Sequence, residues 1–281
     1  MNAFQYAQNV VQLFSLPDSY FRVRELLESE TADLDDIAAV ILLDPILTSK
    51  ILKLANSAVY RLPYQVDSIT KALLVLGKTQ VYNLVLSIGI SSACSQLNTQ
   101  AIDVDRFWEQ SVNAALIAKY LAVHLGFKHA DRVYVSGLLH NIGEMVVVQQ
   151  NPDLARACQD YTTERKPWQL QHKILGFTYA QCGAELLNLW QLPDPIVEPL
   201  ALQHNTHFEA RTADQLVVHL AVRLALANQH PELYSSKTLI DPFLLELLKL
   251  EQADLIKAIN FCNTEGLFVL SVLNPRISAL Y

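Results

Sequence analysis

Glycine is scarce: this 281-residue chain has only eight, none of them in a GxGxxG run. Phosphate loops of the Gly-rich type, which close backbone N–H groups around a nucleotide, are therefore not expected. GxSxG is missing too, and with it the strained serine turn of the α/β-hydrolases. Four cysteines, Cys94, Cys158, Cys182 and Cys262, lie far apart and form no CxxC pair. That argues against a zinc ribbon, a dithiol redox motif and a disulfide framework, and leaves reduced thiols as the expectation. Basic excess is lacking as well. Lys and Arg total 21 against 28 Asp and Glu, a net charge of −7, so no general nucleic-acid binding is expected, since that rests on neutralising phosphates with cations. No uninterrupted apolar run approaches the roughly 18–20 residues that cross a bilayer. The start, MNAFQYAQNVVQ, has neither the basic beginning nor the apolar stretch of a signal peptide. The expectation is a cytoplasmic protein without a membrane segment.

What is present is helical. Apolar residues make up 51% of the chain, enough for a substantial core in one large domain or two closely packed ones. Asp44-Pro45, Asp194-Pro195 and Asp241-Pro242 each look like a helix start, because Asp accepts from free first-turn N–H groups and Pro forfeits nothing there. After the first of these, Ile46, Leu47, Ile51, Leu54 and Ala55 recur at helical spacing. Ser68 predicts the cap of a helix from Ile69 to Leu76 that Gly77 ends. Another helix is predicted from Lys78 through Val81, Leu84, Val85 and Ile88. Asp103 or Asp105 opens the next, running through Phe107, Ala114, Ile117 and Leu121 to Gly126. Strand signals are nearly absent, so the expected fold class is all-α. Breaks at Ser95–Ile102 and Ser235–Asp241 mark the best borders between parts.

One stretch carries chemistry: GLLHNIG, Gly137–Gly143. A His-Asp pair there would be a strong metal signal, but Asn141 follows His140. A carboxylate is an anionic oxygen ligand; an amide is neutral, and its NH2 end cannot bind a cation. Four further blocks stand around it in order: DPILTSKILKLANSAVY (Asp44–Tyr60), SITKALLVLG (Ser68–Gly77), RFWEQSVNAALIAKYLA (Arg106–Ala122) and CGAELLNLWQLPDPI (Cys182–Ile196). Together the five resemble the HDOD domains, the HD-related output domains of bacterial signalling proteins, within the wider HD superfamily of metal-dependent phosphohydrolases. The resemblance runs from about Leu13 to about His204 and implies an all-helical regulatory domain without a catalytic metal site.

The resemblance also implies where metal ligands would stand. The first His of catalytic HD enzymes maps onto Gln110, and the His-Asp doublet onto His140 and Asn141. The additional His ligands of related bacterial phosphodiesterases map onto Tyr179 and onto Gln203 and His204. The last Asp falls at Val222 or its neighbour Arg223. Only His140 and His204 keep a ligating side chain. Two imidazoles without a carboxylate do not make a hydrolytic metal site, which needs three or more protein ligands and an open water position. No metal or other cofactor is expected.

Other residues carry weaker signals. Between Ile46 and Ile102 stand five cations, Lys50, Lys53, Arg61, Lys71 and Lys78, against Asp67 alone, so this segment carries +4 and the remainder −11. A solvated face is the ordinary reading of such charge; a dock for an acidic partner or a nucleotide messenger is the sharper one. Asn56 and Ser57 could line a ligand cleft, although a short polar run after an apolar helix more often caps it. Trp108 and Trp190 sit among apolar helix positions and should fill core. His140 is expected to be buried and hydrogen-bonded, and His204 and His207 lie in a helix end or loop.

These observations give three parts: residues 1–100 as an N-terminal helical lobe, 101–230 as an HD-like helical core, and 231–281 as a C-terminal extension. The extension's apolar residues, Leu244, Leu245, Leu248, Leu255 and Ile259, need a surface to cover, either the core or a second copy in a homodimer. The expected function is a bacterial signal-transduction module that binds a signalling protein or a small ligand without hydrolysing it. Rearrangement between lobe and core would couple binding to output. A metal-dependent phosphohydrolase with an unusual ligand set is the alternative.

Overall fold

The computed structural model describes residues 1–13, 16–29, 31–95, 97 and 100–274. Every regular element among them is helical, as the punctuation predicts. Two compact units form among the described residues: 1–13 with 100–266, and 16–97 with 267–274. The smaller unit's border near residue 97 lies close to the expected one; residues 96, 98 and 99 of that break are outside the described set. The other expected borders differ. The helix Ala3–Val10 belongs with the later core, packing on Tyr179–Leu189 and Ile142–Gln150, and most of the C-terminal extension does too.

In the larger unit the centre is the helix Val104–His124, capped by Asp103, whose side chain accepts from the Arg106 N–H. Ala114, Ala115, Leu116, Ile117 and Ala118 are all fully buried, so this helix is enclosed on every side. Ala130–Leu139 packs closely along it. That approach depends on Gly137: a Cβ there would lie 2.9 Å from both the Ala114 O and the Ala115 Cα. A buried ion pair spans the same two helices, Lys119 Nζ to Asp131 Oδ1 at 2.7 Å. Ala213–Gln229 covers another face of the central helix. The extension packs back as the first expectation had it: Leu244, Leu248 and Leu255 are buried, Leu245 and Ile259 half-buried. Cys262 seals part of that contact, its Sγ 3.0 Å from the Asn113 Oδ1.

Local capping explains the elements of the smaller unit. Asp44 accepts from the Ile46 and Leu47 N–H groups at 3.0 Å each and opens Pro45–Ala55. Ser68 caps Ile69–Leu76, which ends at Gly77 with φ +85, a conformation an L side chain rarely adopts. Lys78–Ser95 is buried through Val81, Leu84, Val85, Ile88 and Ile90. Asp241 caps Pro242–Leu248 as expected, accepting from the Phe243 N–H at 3.0 Å, but two other features depart from the expected pattern. Asp194 is itself the first helical residue, after Pro193, and makes no cap bond. The break at Ser235–Asp241 contains a short helix, Ser236–Leu239.

One helix bears on the expected lack of a long apolar stretch. Gln252–Leu273, at 22 residues, is long and apolar enough by length and composition to cross a membrane. Asp254, Lys257 and Glu265, with the polar Asn260, Asn263 and Thr264, interrupt it, so the sequence shows no unbroken apolar run there. Leu255, Ala258, Cys262, Val269 and Leu273 along it are buried in protein.

Candidate functional site

GLLHNIG joins two helices, Ala130–Leu139 and Ile142–Gln150, and its glycines are there for packing. A Cβ on Gly143 would stand 2.0 Å from the Tyr179 O and 2.7 Å from the Gly183 N. The motif is thereby pressed against the start of Tyr179–Leu189. Between the glycines, His140 is 2% exposed, and its Nδ1 lies 2.8 Å from the Gly137 O. A carbonyl only accepts, so Nδ1 carries the proton and Nε2 bears a lone pair. That Nε2 is buried without a partner among the described residues. Burial pulls the imidazole down to about 4, against the smaller opposing effect of the Gly137 carbonyl, so the ring is neutral at physiological pH.

The seven positions implied as metal ligands separate into two groups, with Val222 in neither. Gln110, Asn141 and Tyr179 line a polar cavity of about 80 Å³, room for several waters or a small polar group. Its floor holds a residue the sequence reading missed, Glu144. The Asn141 Nδ2 and the Gln159 Nε2 donate to its two carboxyl oxygens, each at 2.5 Å. Burial raises this carboxyl to about 7, and the two amide donors only partly offset it. Tyr161 and His230 close one side, the hydroxyl 2.9 Å from the His230 Nε2. Among the described residues the buried Tyr179 hydroxyl has no hydrogen-bond partner.

Glu144 makes a testable pH signature. Unfolded, its proton leaves near 4.5; folded, near 7. Its stabilising contribution is therefore fully present below about pH 4.5 and lost as pH rises through about 7, a swing of roughly 3 kcal/mol at most. Buried histidines whose folded values are lowered act in the opposite sense, so the comparison must be with Glu144→Gln. The wild type should lose stability relative to E144Q between pH 5 and 8, read from Tm in a series of buffers. A constant difference across that range would refute the assignment.

His140, Gln203 and His204 belong to the second group. The Gln203 Nε2 donates to the His140 O at 2.7 Å, which fixes the amide's orientation. Arg223, from Ala213–Gln229, donates to the Gln203 O at 2.9 Å and the His219 O at 3.1 Å. Its guanidinium lies 4.8 Å from the Trp168 ring centre, and Trp168 stacks on His204 at 4.7 Å. Arg211 reaches the His219 Nδ1 at 3.1 Å. Burial lowers Arg223 to about 9 and Arg211 to about 10, both still cationic at neutral pH. Burial and the Arg223 charge hold His204 well below the ordinary imidazole range. Sequence reasoning missed Trp168 and Arg211; a lone Arg in the apolar run VVHLAVRLALA was the visible trace of the cluster.

A divalent cation does not fit these residues. A guanidinium stands beside the position where the last carboxylate would be, and Asn141 turns its amide to Glu144. Among the described residues no three His, Cys, Asp or Glu side chains group to hold a metal.

The N-terminal candidates lie apart, in the smaller unit. Asn56 is a clamp: its Nδ2 donates to the Leu52 O at 2.8 Å and the Val66 O at 2.7 Å, and its Oδ1 accepts from the Val66 N–H at 2.8 Å. Ser57 is buried and donates to the Leu54 O. Two of the five cations are engaged within this unit. Lys71 pairs with Asp67 at 3.4 Å, and Lys78 donates to the Ala32 O at 3.1 Å. Lys50 is half-buried, its ammonium lowered by burial, while Arg61 occupies a left-handed turn. Lys53 borders an open groove with Leu42, Pro45, Asn56 and Phe268.

Comparisons with known proteins agree with this architecture. A Treponema pallidum (strain Nichols) protein is 29% identical over 209 residues, and the match covers 72% of this chain but only 40% of that relative. Among solved structures, a candidate phosphohydrolase from Shewanella amazonensis SB2B is 21% identical with a TM-score of 0.72, covering 95% of this chain and 98% of that one. An HDOD domain protein of unknown function from Geobacter sulfurreducens is also 21% identical, with a TM-score of 0.65 and coverage of 99% and 98%. A candidate signal transduction protein from Marinobacter aquaeolei VT8 has 20% identity and a TM-score of 0.67, covering 96% of this chain and 61% of that one. The HDOD domain model matches residues 13–206, and with the helical fold around GLLHNIG this places the chain in the HDOD family.

Proposed function

We propose that this chain is a non-catalytic regulatory module of bacterial signal transduction, binding a signalling protein or a small ligand such as a nucleotide messenger. The observation that carries the reading is the fate of the doublet. His140 faces a cationic cluster, while Asn141 is engaged by Glu144 in a separate polar cavity. A hydrolytic metal needs ligands converging on one point with an open water position; here the inherited positions diverge. The cavity of Gln110, Asn141, Glu144 and Tyr179 supplies amide, carboxyl and phenol groups for a polar ligand. Binding there would stabilise the folded chain by mass action.

A second reading is favoured by one detail. His140 donates from Nδ1 to a backbone carbonyl and leaves Nε2 free, the tautomer of a metal-bound histidine. That reading is the phosphohydrolase with an unusual ligand set. Elemental analysis separates the two, on protein expressed with manganese and iron and purified without chelators. The regulatory reading expects far less than about one metal per chain. Near-stoichiometric metal, lost in H140A/H204A, would overturn it and make phosphodiester hydrolysis the next assay.

A further inference from the structure

Seven buried side-chain polar atoms lack a partner among the described residues, and four belong to one cluster: His140 Nε2, Gln203 Oε1, His204 Nδ1 and Arg211 Nε. Arg223, 4% exposed, and Arg211 bring two positive charges to it. No ion pair among the described residues includes either guanidinium. Carbonyls orient Arg223 but do not neutralise it, and an uncompensated buried charge is costly. We propose that this cluster is an internal site for a protonated tetrahedral oxyanion, of the orthophosphate or phosphomonoester class.

Two requirements select that class. Charge calls for an anion at Arg211 and Arg223, as planar guanidiniums favour. Hydrogen bonding adds a second condition, because Gln203 Oε1 and His140 Nε2 are acceptors in fixed orientation and need a donor. Orthophosphate near neutral pH carries both negative oxygens and a P–OH, whereas a phosphomonoester meets both conditions as its monoanion, below about pH 6. Sulfate and chloride carry the charge without the proton, and water carries the proton without the charge. Trp168 and His204, both half-buried, stack beside the cluster. The site rests on the metal-free reading of His140 and His204, and elemental analysis of the same protein separates a failure of that reading from a failure of anion binding.

Calorimetric titration of the full chain tests this, with EDTA present and salt near physiological strength. Inorganic phosphate, sulfate and AMP are the three titrants. Saturable phosphate binding is expected, with sulfate weaker by at least about tenfold, because it leaves the acceptors unpaired. Tighter binding of AMP would assign the phosphomonoester as the natural source, and equal or weaker binding would assign the free ion. Arg223→Gln should weaken phosphate at least about tenfold, with Arg211→Gln as the second variant if R223Q does not fold. Lys53→Gln, an exposed cation in the smaller unit, should leave binding unchanged. No saturation by about 10 mM phosphate, sulfate binding equal to phosphate, or an equal loss in K53Q would each overturn the proposal.

Discussion

Gly143→Ala should destabilise the protein by at least about 3 kcal/mol, lowering Tm by roughly 6–12 °C in a thermal melt. The sign is the informative part. In an ordinary helix interior the same change gains close to 1 kcal/mol, because alanine loses less chain entropy. At Gly143 the new methyl would meet the Tyr179 O at 2.0 Å and the Gly183 N at 2.7 Å. Both are backbone atoms, so no rotamer change relieves the clash and the helices must separate. Gly266→Ala is the matched control, a helical glycine whose added Cβ would meet only the Asn113 Oδ1, at an ordinary 3.5 Å. It should cost clearly less than G143A. Equal costs for the two, or a stabilised G143A, would show that this crossing is looser than described. Because Tyr179 lines the polar cavity, the separation should also be felt there.

Asp131→Ala is the second large effect, at roughly 3–5 kcal/mol. The Lys119 and Asp131 side chains are 7% and 9% exposed, and the ammonium lies 5.9 Å from the Tyr134 ring centre. Removing the carboxylate leaves that charge in an apolar setting, where burial already lowers the lysine and Asp131 is what opposes the fall. Lys119→Met with Asp131→Leu removes both charges and should cost far less than D131A, which urea denaturation with unchanged m values would establish. The loss in D131A should also shrink as pH rises, since a lysine with a depressed folded value regains its contribution once it is neutral. A double variant as unstable as D131A would mean that the pair contributes through packing rather than charge.

The elements were legible where one residue decides a boundary. Ser68 and Gly77 bracket a helix, Asp103 opens one and Gly126 follows its end, because capping and positive φ are local physics. Asp-Pro predicts a cap at Asp194, yet the chain begins that helix at the Asp itself. The site was half legible. Gln110, Asn141 and Tyr179 were chosen through family likeness, and the fold does bring them to one cavity. Glu144 was in view, a lone acid in the apolar run IGEMVVVQQ, but only three dimensions show which side of that helix faces Gln159. Trp168 and Arg211 gave no sequence signal, because their partners lie tens of residues away. The five N-terminal cations suggested a common surface, but a charge count over a segment carries no direction.

Asn56 raises a different matter, that of replaceability. Its amide supplies a donor and an acceptor to the two main-chain groups of a single residue, Val66, and a second donor bond to Leu52. Aspartate has the length but no N–H, glutamine has both functions on a stem one carbon too long, and serine reaches neither. At this position the genetic alphabet holds one letter and no synonym, so drift that rewrites the surrounding surface must leave it alone or undo the ten-residue loop it fastens.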